Sequence, residues 1–378
     1  MKGGFKLNNL FFCKTPYQLI VVTQLVIKQF SKDSNDILIS DTIANCQELL
    51  ENVKVSGVFK KARIYSSKEM VMSRSKGYFV RQSLKSKLMK STLKKSVFNY
   101  GDYDRFFICN LSYEETFIYR ILKQVATRPL KVYLFEDGFS SYSKMYGDFF
   151  EMLKPKREFM GKIKFMYKKM VYEVFMNLQG FYVFSPELLD WNPQMPVFQL
   201  FKIGKHDSET ISTLNSIFGV KKCVDVYDKN YMFFEESYFA DGQNIGDLEI
   251  VDQISSIIGR ENIFVKIHPR NLINRFDELG YQTNRNTAIP WEIIALNIDM
   301  NQKVLFTIAS GSALTSLINT SIVPKKVIML MNCEEMRNCE LTPSLEMLRK
   351  VANHYPETVI CPHNFNELTQ ILTNLRSM

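Results

Sequence analysis

The hydrophobic positions fall into short apolar runs that alternate with longer stretches of helical pattern. LFFC (10–13) reads as a buried strand, and PYQLIVVTQLVIKQF (16–30) behind it reads as a helix. DILIS (36–40) precedes the helical TIANCQELLEN, DRFFICN (104–110) precedes YEETFIYRILKQVAT, and KVYLFEDG (131–138) runs into an acidic turn. The second half repeats the alternation. YMFFEE (231–236), IFVKI (263–267), KVLFTIA (303–309) and KKVIML (325–330) read as strands. IGDLEIVDQISSIIG, PWEIIALNI, GSALTSLIN and NFNELTQILTNL read as helices, the first ending on Gly259 as a C-cap. Such alternation predicts βα units and parallel sheets.

At 378 residues the chain is too long for one ordinary core, so two domains are expected. The linker is placed at FKIGKHDS (201–208), giving residues 1–205 and 206–378. Residues 139–205 are less regular, aromatic and basic, with four of the twelve prolines. Two tandem βα domains predict a deep cleft at the carboxyl ends of the two sheets, where open α/β folds bind ligands.

Composition narrows the class. The chain is 46% hydrophobic and 23% charged, which suits a globular protein. No signal peptide and no apolar run of membrane-spanning length are read. Seven cysteines without a CxxC pair suggest reduced thiols and a cytoplasmic setting, and no Cys/His cluster has zinc-ligand spacing. The net charge of +9 is local. Eight basic residues and no acid lie between Met70 and Gly101, and seven against one acid between Lys154 and Lys169. Lys85–Lys95 and Lys154–Lys169 would suit an anionic membrane surface.

Several stretches carry candidate chemistry. His268 in IFVKIHPRN follows a strand, and Pro269 stops further pairing. Lys266 shares its side of the strand and Arg270 adds a third cation, a set that suits a phosphate. Ser310-Gly311-Ser312 opens a helix after another strand, so hydroxyls and free N–H groups can cradle an anion. The two strand ends are expected side by side. Glu136 and Asp137, before Gly138, offer carboxylates for a general base or for sugar hydroxyls. Glu235, Glu236 and Asp241 follow the first strand of the second half, and spacing does not choose among them. Glu292, in a first helical turn, suits the helix dipole or a ribose. There is no GxxxxGK[ST], no GxGxxG after the first strand and no DxD triplet.

Taken together, LFFCKTPYQL, FEDG (135–138), KIHPR (266–270) and SGSALT (310–315) resemble the bacterial lipooligosaccharide sialyltransferase family, glycosyltransferase family 52. They also resemble the acidic-Gly, His-Pro and Ser-rich signatures of other bacterial sialyltransferases. The resemblance implies a GT-B architecture of two Rossmann-like domains, the N-terminal on the acceptor side and the C-terminal binding a CMP-sugar. It implies CMP-sialic acid as donor and a terminal galactose of a surface glycan (lipooligosaccharide, O-antigen or capsule) as acceptor. Inversion without metal or cofactor follows, with no nucleic-acid partner. It assigns His268, Ser310 and Ser312 to the phosphate, with Gly311 and Arg270 beside it, and Lys266 and Glu292 to the cytidine and ribose. Glu136, Asp137 and Gly138 contact substrate, and the base is Asp241 or, as in a related family, Asp137. Another CMP-nonulosonate or a nucleotide hexose stays open as donor, as does a homodimer. A non-enzymatic peripheral membrane or nucleic-acid-binding protein is the alternative of a different class.

Overall fold

The computed structural model describes residues 6–67, 102–155, 159–220, 225–284, 288–334 and 345–377. The chain divides into two compact units at Phe201/Lys202, where the sequence suggested 205/206.

Unit 1 contains β1 (Asn8–Cys13), α1 (Pro16–Gln29), β2 (Ser34–Ser40), α2 (Cys46–Ser56), β3 (Lys61–Tyr65), β4 (Arg105–Ile108), α3 (Tyr113–Val125), β5 (Lys131–Phe135), α4 (Lys144–Met152), α5 (Phe159–Tyr172), β6 (Leu178–Val183) and β7 (Val197–Gln199). The strands form one parallel sheet ordered β3-β2-β1-β4-β5-β6-β7. Leu10, Phe11, Phe12 and Cys13 are all fully buried, as expected for a strand covered on both faces. Phe11 stacks on Phe107 at 4.4 Å and Phe107 on Tyr133 at 5.3 Å, which locks the three strands β1, β4 and β5 on one face.

Unit 2 contains α6 (Ser208–Ile217), β8 (Tyr231–Phe234), α7 (Asp247–Ile258), β9 (Ile263–Lys266), α8 (Arg275–Glu278), β10 (Gln282–Thr283), α9 (Trp291–Asn297), β11 (Val304–Thr307), α10 (Thr315–Asn319), β12 (Lys326–Met329), α11 (Leu345–His354), β13 (Val359–Ile360) and α12 (Phe365–Ser377). Its parallel sheet is ordered β10-β9-β8-β11-β12-β13. Both units are doubly wound. The chain starts centrally, walks to one edge, then crosses to the other side. The crevice at that reversal, β1/β4 in unit 1 and β8/β11 in unit 2, is where such sheets take ligands.

Two expectations change here. The ends of β9 and β11 are not side by side, because β8 lies between them. Their axes are therefore about 10 Å apart, two strand spacings. GSALTSLIN is not one α-helix. Gly311–Leu314 is a 3-10 turn, and α10 behind it has only five residues, so little helix dipole is available there.

Candidate functional site

The carboxyl edge of the first sheet is built by the TPYQ stretch. The Thr15 hydroxyl caps α1 by accepting from the Gln18 N–H at 3.2 Å, and the Gln18 side-chain oxygen Oε1 accepts from the Thr15 N–H at 3.1 Å. This reciprocal box and Pro16 at the first helical position fix where α1 begins. With its oxygen so used, the Gln18 amide nitrogen donates to Asp137 Oδ1, while Asn110 Nδ2 donates to Oδ2 at 2.9 Å. Burial pushes the Asp137 carboxyl up to about 6, against the lowering pull of Gln18 and Lys14. Asp137 is thus held in place and poised to take a proton near neutral pH.

Glu136 faces the other way. It is fully buried, and its carboxylate accepts from the Tyr17 hydroxyl at 2.5 Å, the Tyr142 hydroxyl and the Phe184 N–H at 2.9 Å. Its carboxylate braces the turn from inside. Gly138 has φ +75°, a left-handed conformation that only glycine adopts freely, and so turns the chain into the 3-10 helix Gly138–Tyr142. Beside Asp137, at the β1/β4 crevice, Lys14 pairs with Glu114 at 2.7 Å and reaches the Ser112 hydroxyl at 3.1 Å. Burial raises Glu115 to about 7, offset in part by Lys14 and Ser112.

On the second sheet, the His268 imidazole is half-buried beyond β9. Its Nδ1 accepts from the Arg270 N–H at 3.2 Å, which places the proton on Nε2. Burial, then the charges of Lys266 and Arg270, hold His268 down to about 4, so it is a neutral donor at pH 7. Lys266 lies 5.9 Å from the Phe234 ring centroid. Burial lowers its pKa, and the carboxylates of Glu292 and Glu235 oppose the shift. Glu292 is raised by burial, with its own N–H, Lys266 and the Thr315 hydroxyl acting against it. Lys266 at the end of β9 and Glu292 in the first turn of α9 thus act on each other by charge, while the Thr315 hydroxyl donates to the Ser312 carbonyl at 2.8 Å.

Ser310 is buried at the β11 end. Its N–H donates to Thr307 Oγ1 at 2.7 Å, and its hydroxyl makes no hydrogen bond to the described residues. Ser312 and Gly311 follow, half-buried, in the 3-10 turn. Arg270 and Asp241 are occupied with each other. Arg270 donates to both Asp241 oxygens, at 3.3 and 3.1 Å, and to the Ser237 hydroxyl at 2.5 Å. Asp241, expected as the first choice for the base, is a half-exposed partner in an ion pair.

Glu235 and Glu236, named from the sequence only as candidate carboxylates, are the groups that hold this edge. Glu235 Oε2 accepts from the His268 N–H at 3.0 Å, and Oε1 accepts from Arg275 at 3.0 Å. Glu236 Oε1 accepts from the Thr307 hydroxyl at 2.9 Å and the Ala309 N–H at 2.8 Å. Burial raises Glu236 to about 7, against those two donors. The available signal was two adjacent acids closing an apolar strand. Of the basic patches, Lys85–Lys95 lies outside the described residues. In the other, Lys154 pairs with Glu151 at 2.5 Å and Lys168 donates to the Met152 carbonyl at 2.7 Å. Among the described residues, no helix is long and apolar enough to cross a membrane, and no group of three or more His, Cys, Asp or Glu is placed to hold a metal ion.

The α/β-galactoside α-2,3-sialyltransferase of the luminous marine bacterium Photobacterium phosphoreum superposes with a TM-score of 0.54, over 94% of this chain and 98% of that one, at 12% identity. TcCGT1 in complex with UDP gives 0.52 over 97% and 90% at 9% identity. A Listeria monocytogenes protein described as a UDP-N-acetylglucosamine 2-epimerase also gives 0.52, over 99% and 88% at 11% identity. At such identities the likeness is one of fold, and the fold is GT-B: two parallel-sheet α/β units in tandem. Among curated proteins none matches this chain in sequence. The sequence pattern of the alpha-2,8-polysialyltransferase (POLYST) family matches residues 9–323. The lipooligosaccharide family expected from the motifs is not the one that matches, although both are sialyltransferases. The chain belongs to the alpha-2,8-polysialyltransferase family, and so to the sialyltransferases among the glycosyltransferases.

Proposed function

We propose that the protein transfers sialic acid from CMP-sialic acid to a saccharide acceptor with inversion at the anomeric carbon. The observation that carries this reading is the neutral, Nε2-protonated His268 and the unengaged Ser310 hydroxyl flanking the end of β8. A phosphate bound between them would take one hydrogen bond from each side.

In the reaction the bond from sugar C2 to the phosphate oxygen breaks, and its electron pair leaves with CMP. His268 Nε2–H and the Ser310 and Ser312 hydroxyls meet the charge that grows on that oxygen, where preorganised donors contribute most. As the phosphate gains charge it favours positive charge on the imidazole, so the Nε2–H bond from the neutral resting His268 strengthens. Lys266 and Glu292 hold the cytidine and ribose. The acceptor hydroxyl attacks C2 from the opposite face and gives its proton to Asp137. Asp137 is favoured over Asp241 because Asp241 is ion-paired with Arg270, whereas the partners of Asp137 are the neutral amides of Gln18 and Asn110 and its carboxyl is raised to about 6. The family match favours an acceptor ending in sialic acid over the terminal galactose expected from the sequence.

The chemistry assigned here draws on side chains for the departing charge, so turnover in excess EDTA should equal turnover without it. Loss of activity that added divalent metal restores would contradict the assignment. A thermal-shift series with CMP, UMP and GDP, followed by CMP-release assays on galactose- and sialic-acid-terminated acceptors, tests donor and acceptor. Stabilisation by CMP alone supports the reading. Stabilisation by UMP or GDP points to a nucleotide-hexose donor, and no response to any nucleotide overturns a nucleotide-sugar enzyme. The exposed Lys169 is compatible with a membrane-surface reading of that stretch, which co-sedimentation with anionic against neutral vesicles checks.

A further inference from the structure

We propose that the consecutive acids Glu235 and Glu236 are positioning residues that set His268 and Ser310 independently, one acid for each arm of the phosphate grip. The inference rests on the functional reading above, since it concerns how that grip is spaced.

The geometry is specific. Both acids leave the end of β8, a central strand, and their hydrogen bonds run to the strands on either side of it. Glu235 is 2% exposed and goes to the β9 side. It holds the His268 N–H at 3.0 Å and is itself fixed by Arg275, which also binds Asp247 at 2.6 Å. Glu236 is 8% exposed and goes to the β11 side. One of its oxygens, Oε1, takes both the Thr307 hydroxyl and the Ala309 N–H. The Thr307 oxygen in turn receives the Ser310 N–H at 2.7 Å, so Glu236 reaches Ser310 through one hydroxyl. Asn271 ties the arms at their base, donating to the Glu236 carbonyl at 2.9 Å while its own N–H donates to the His268 carbonyl at 2.9 Å.

Burying two adjacent carboxylates is costly, and a fold that needed only packing would use apolar residues at the end of an apolar strand. These acids instead hold backbone N–H groups beside the two residues that face the phosphate. Since His268 and Ser310 are separated by the β8 end, a fixed spacing needs something rooted on β8, and this dipeptide is rooted there.

Double-mutant cycles with CMP as the probe, read by calorimetry on the full-length protein, test this. Glu236→Met should weaken CMP binding about tenfold, and adding Ser310→Ala should weaken it little more, because Glu236 acts through Ser310. Adding His268→Ala to Glu236→Met should multiply the two losses. Glu235→Met should show the reverse: coupling to His268→Ala and additivity with Ser310→Ala. Gln at either position keeps an accepting oxygen and should restore most of the lost affinity. If Glu236→Met does not fold, Thr307→Val cuts the same relay while keeping side-chain shape and should couple to Ser310 alone. Equal coupling of either acid to both partners, or none to either, would overturn the proposal while CMP binding by the wild type still supports the functional reading. Failure of the wild type to bind CMP sinks both. Wild-type binding left intact by His268→Ala and Ser310→Ala contradicts the phosphate grip itself.

Discussion

At the scale of single residues, neighbouring acids have been given opposite jobs by the side of the strand they leave. Glu136 turns inward to two tyrosine hydroxyls and a backbone N–H, and Asp137 stays at the sheet edge between Gln18 and Asn110. If Asp137 is the base, the rate must fall as pH falls, because the protonated acid cannot accept a proton. Its pKa of about 6 puts the midpoint of the acidic limb of kcat/KM there. Asp137→Asn should remove turnover, whereas Asp241→Asn should keep both turnover and the limb. A limb that moves with Asp241 would reverse the assignment. His268→Ala should lower turnover by about two to three orders of magnitude, the usual loss for one donor aimed at developing charge, with the thermal melt unchanged. Near-wild-type turnover would remove His268 from the mechanism.

At the scale of elements, the long apolar runs were readable because parallel strands covered on both faces must be apolar throughout. LFFC, DILIS, IFVK and VLFT are all strands, and the helices behind them lie close to where the pattern placed them. The short or mixed strands were not readable. KARIY in β3 alternates charge with apolar residues at an edge, and β10 and β13 have two residues each. In GSALTSLIN the helical pattern was correct, but it could not distinguish a 3-10 turn from the first turn of an α-helix. The four-residue helix α8 shows how much a short element can carry. Its Arg275 is a 13%-exposed cation serving two buried carboxylates, Glu235 and Asp247, and stacks 4.0 Å from Phe239. Arg275→Met leaves those carboxylates buried and unpaired, so stability should fall by about 3–5 kcal/mol in urea unfolding. An unchanged midpoint would mean that the trio does not anchor α8.

At the scale of the whole molecule, the residue types of the site were legible, but their arrangement was not. His-Pro, Ser-Gly-Ser and Glu-Asp-Gly each announce polar groups at strand ends. Strand order is set by long-range pairing, which local pattern does not encode, so the insertion of β8 between the His268 and Ser310 strands was invisible. So was the Glu235-Glu236 dipeptide as a support, because its partners lie about 30 to 75 residues downstream. The LFFCKTPYQL stretch was legible as a motif but not as a mechanism. Only the fold shows Tyr17 reaching Glu136 and Gln18 reaching Asp137. The proposed chemistry requires a nucleotide phosphate held at the β8 end of unit 2. Phosphorus NMR of CMP added to the wild-type protein and to His268→Ala reads that contact without catalysis. A phosphate gripped there gives a displaced resonance with the wild type that moves back toward free CMP in the variant. An unshifted phosphorus signal while the cytidine protons report binding would contradict it.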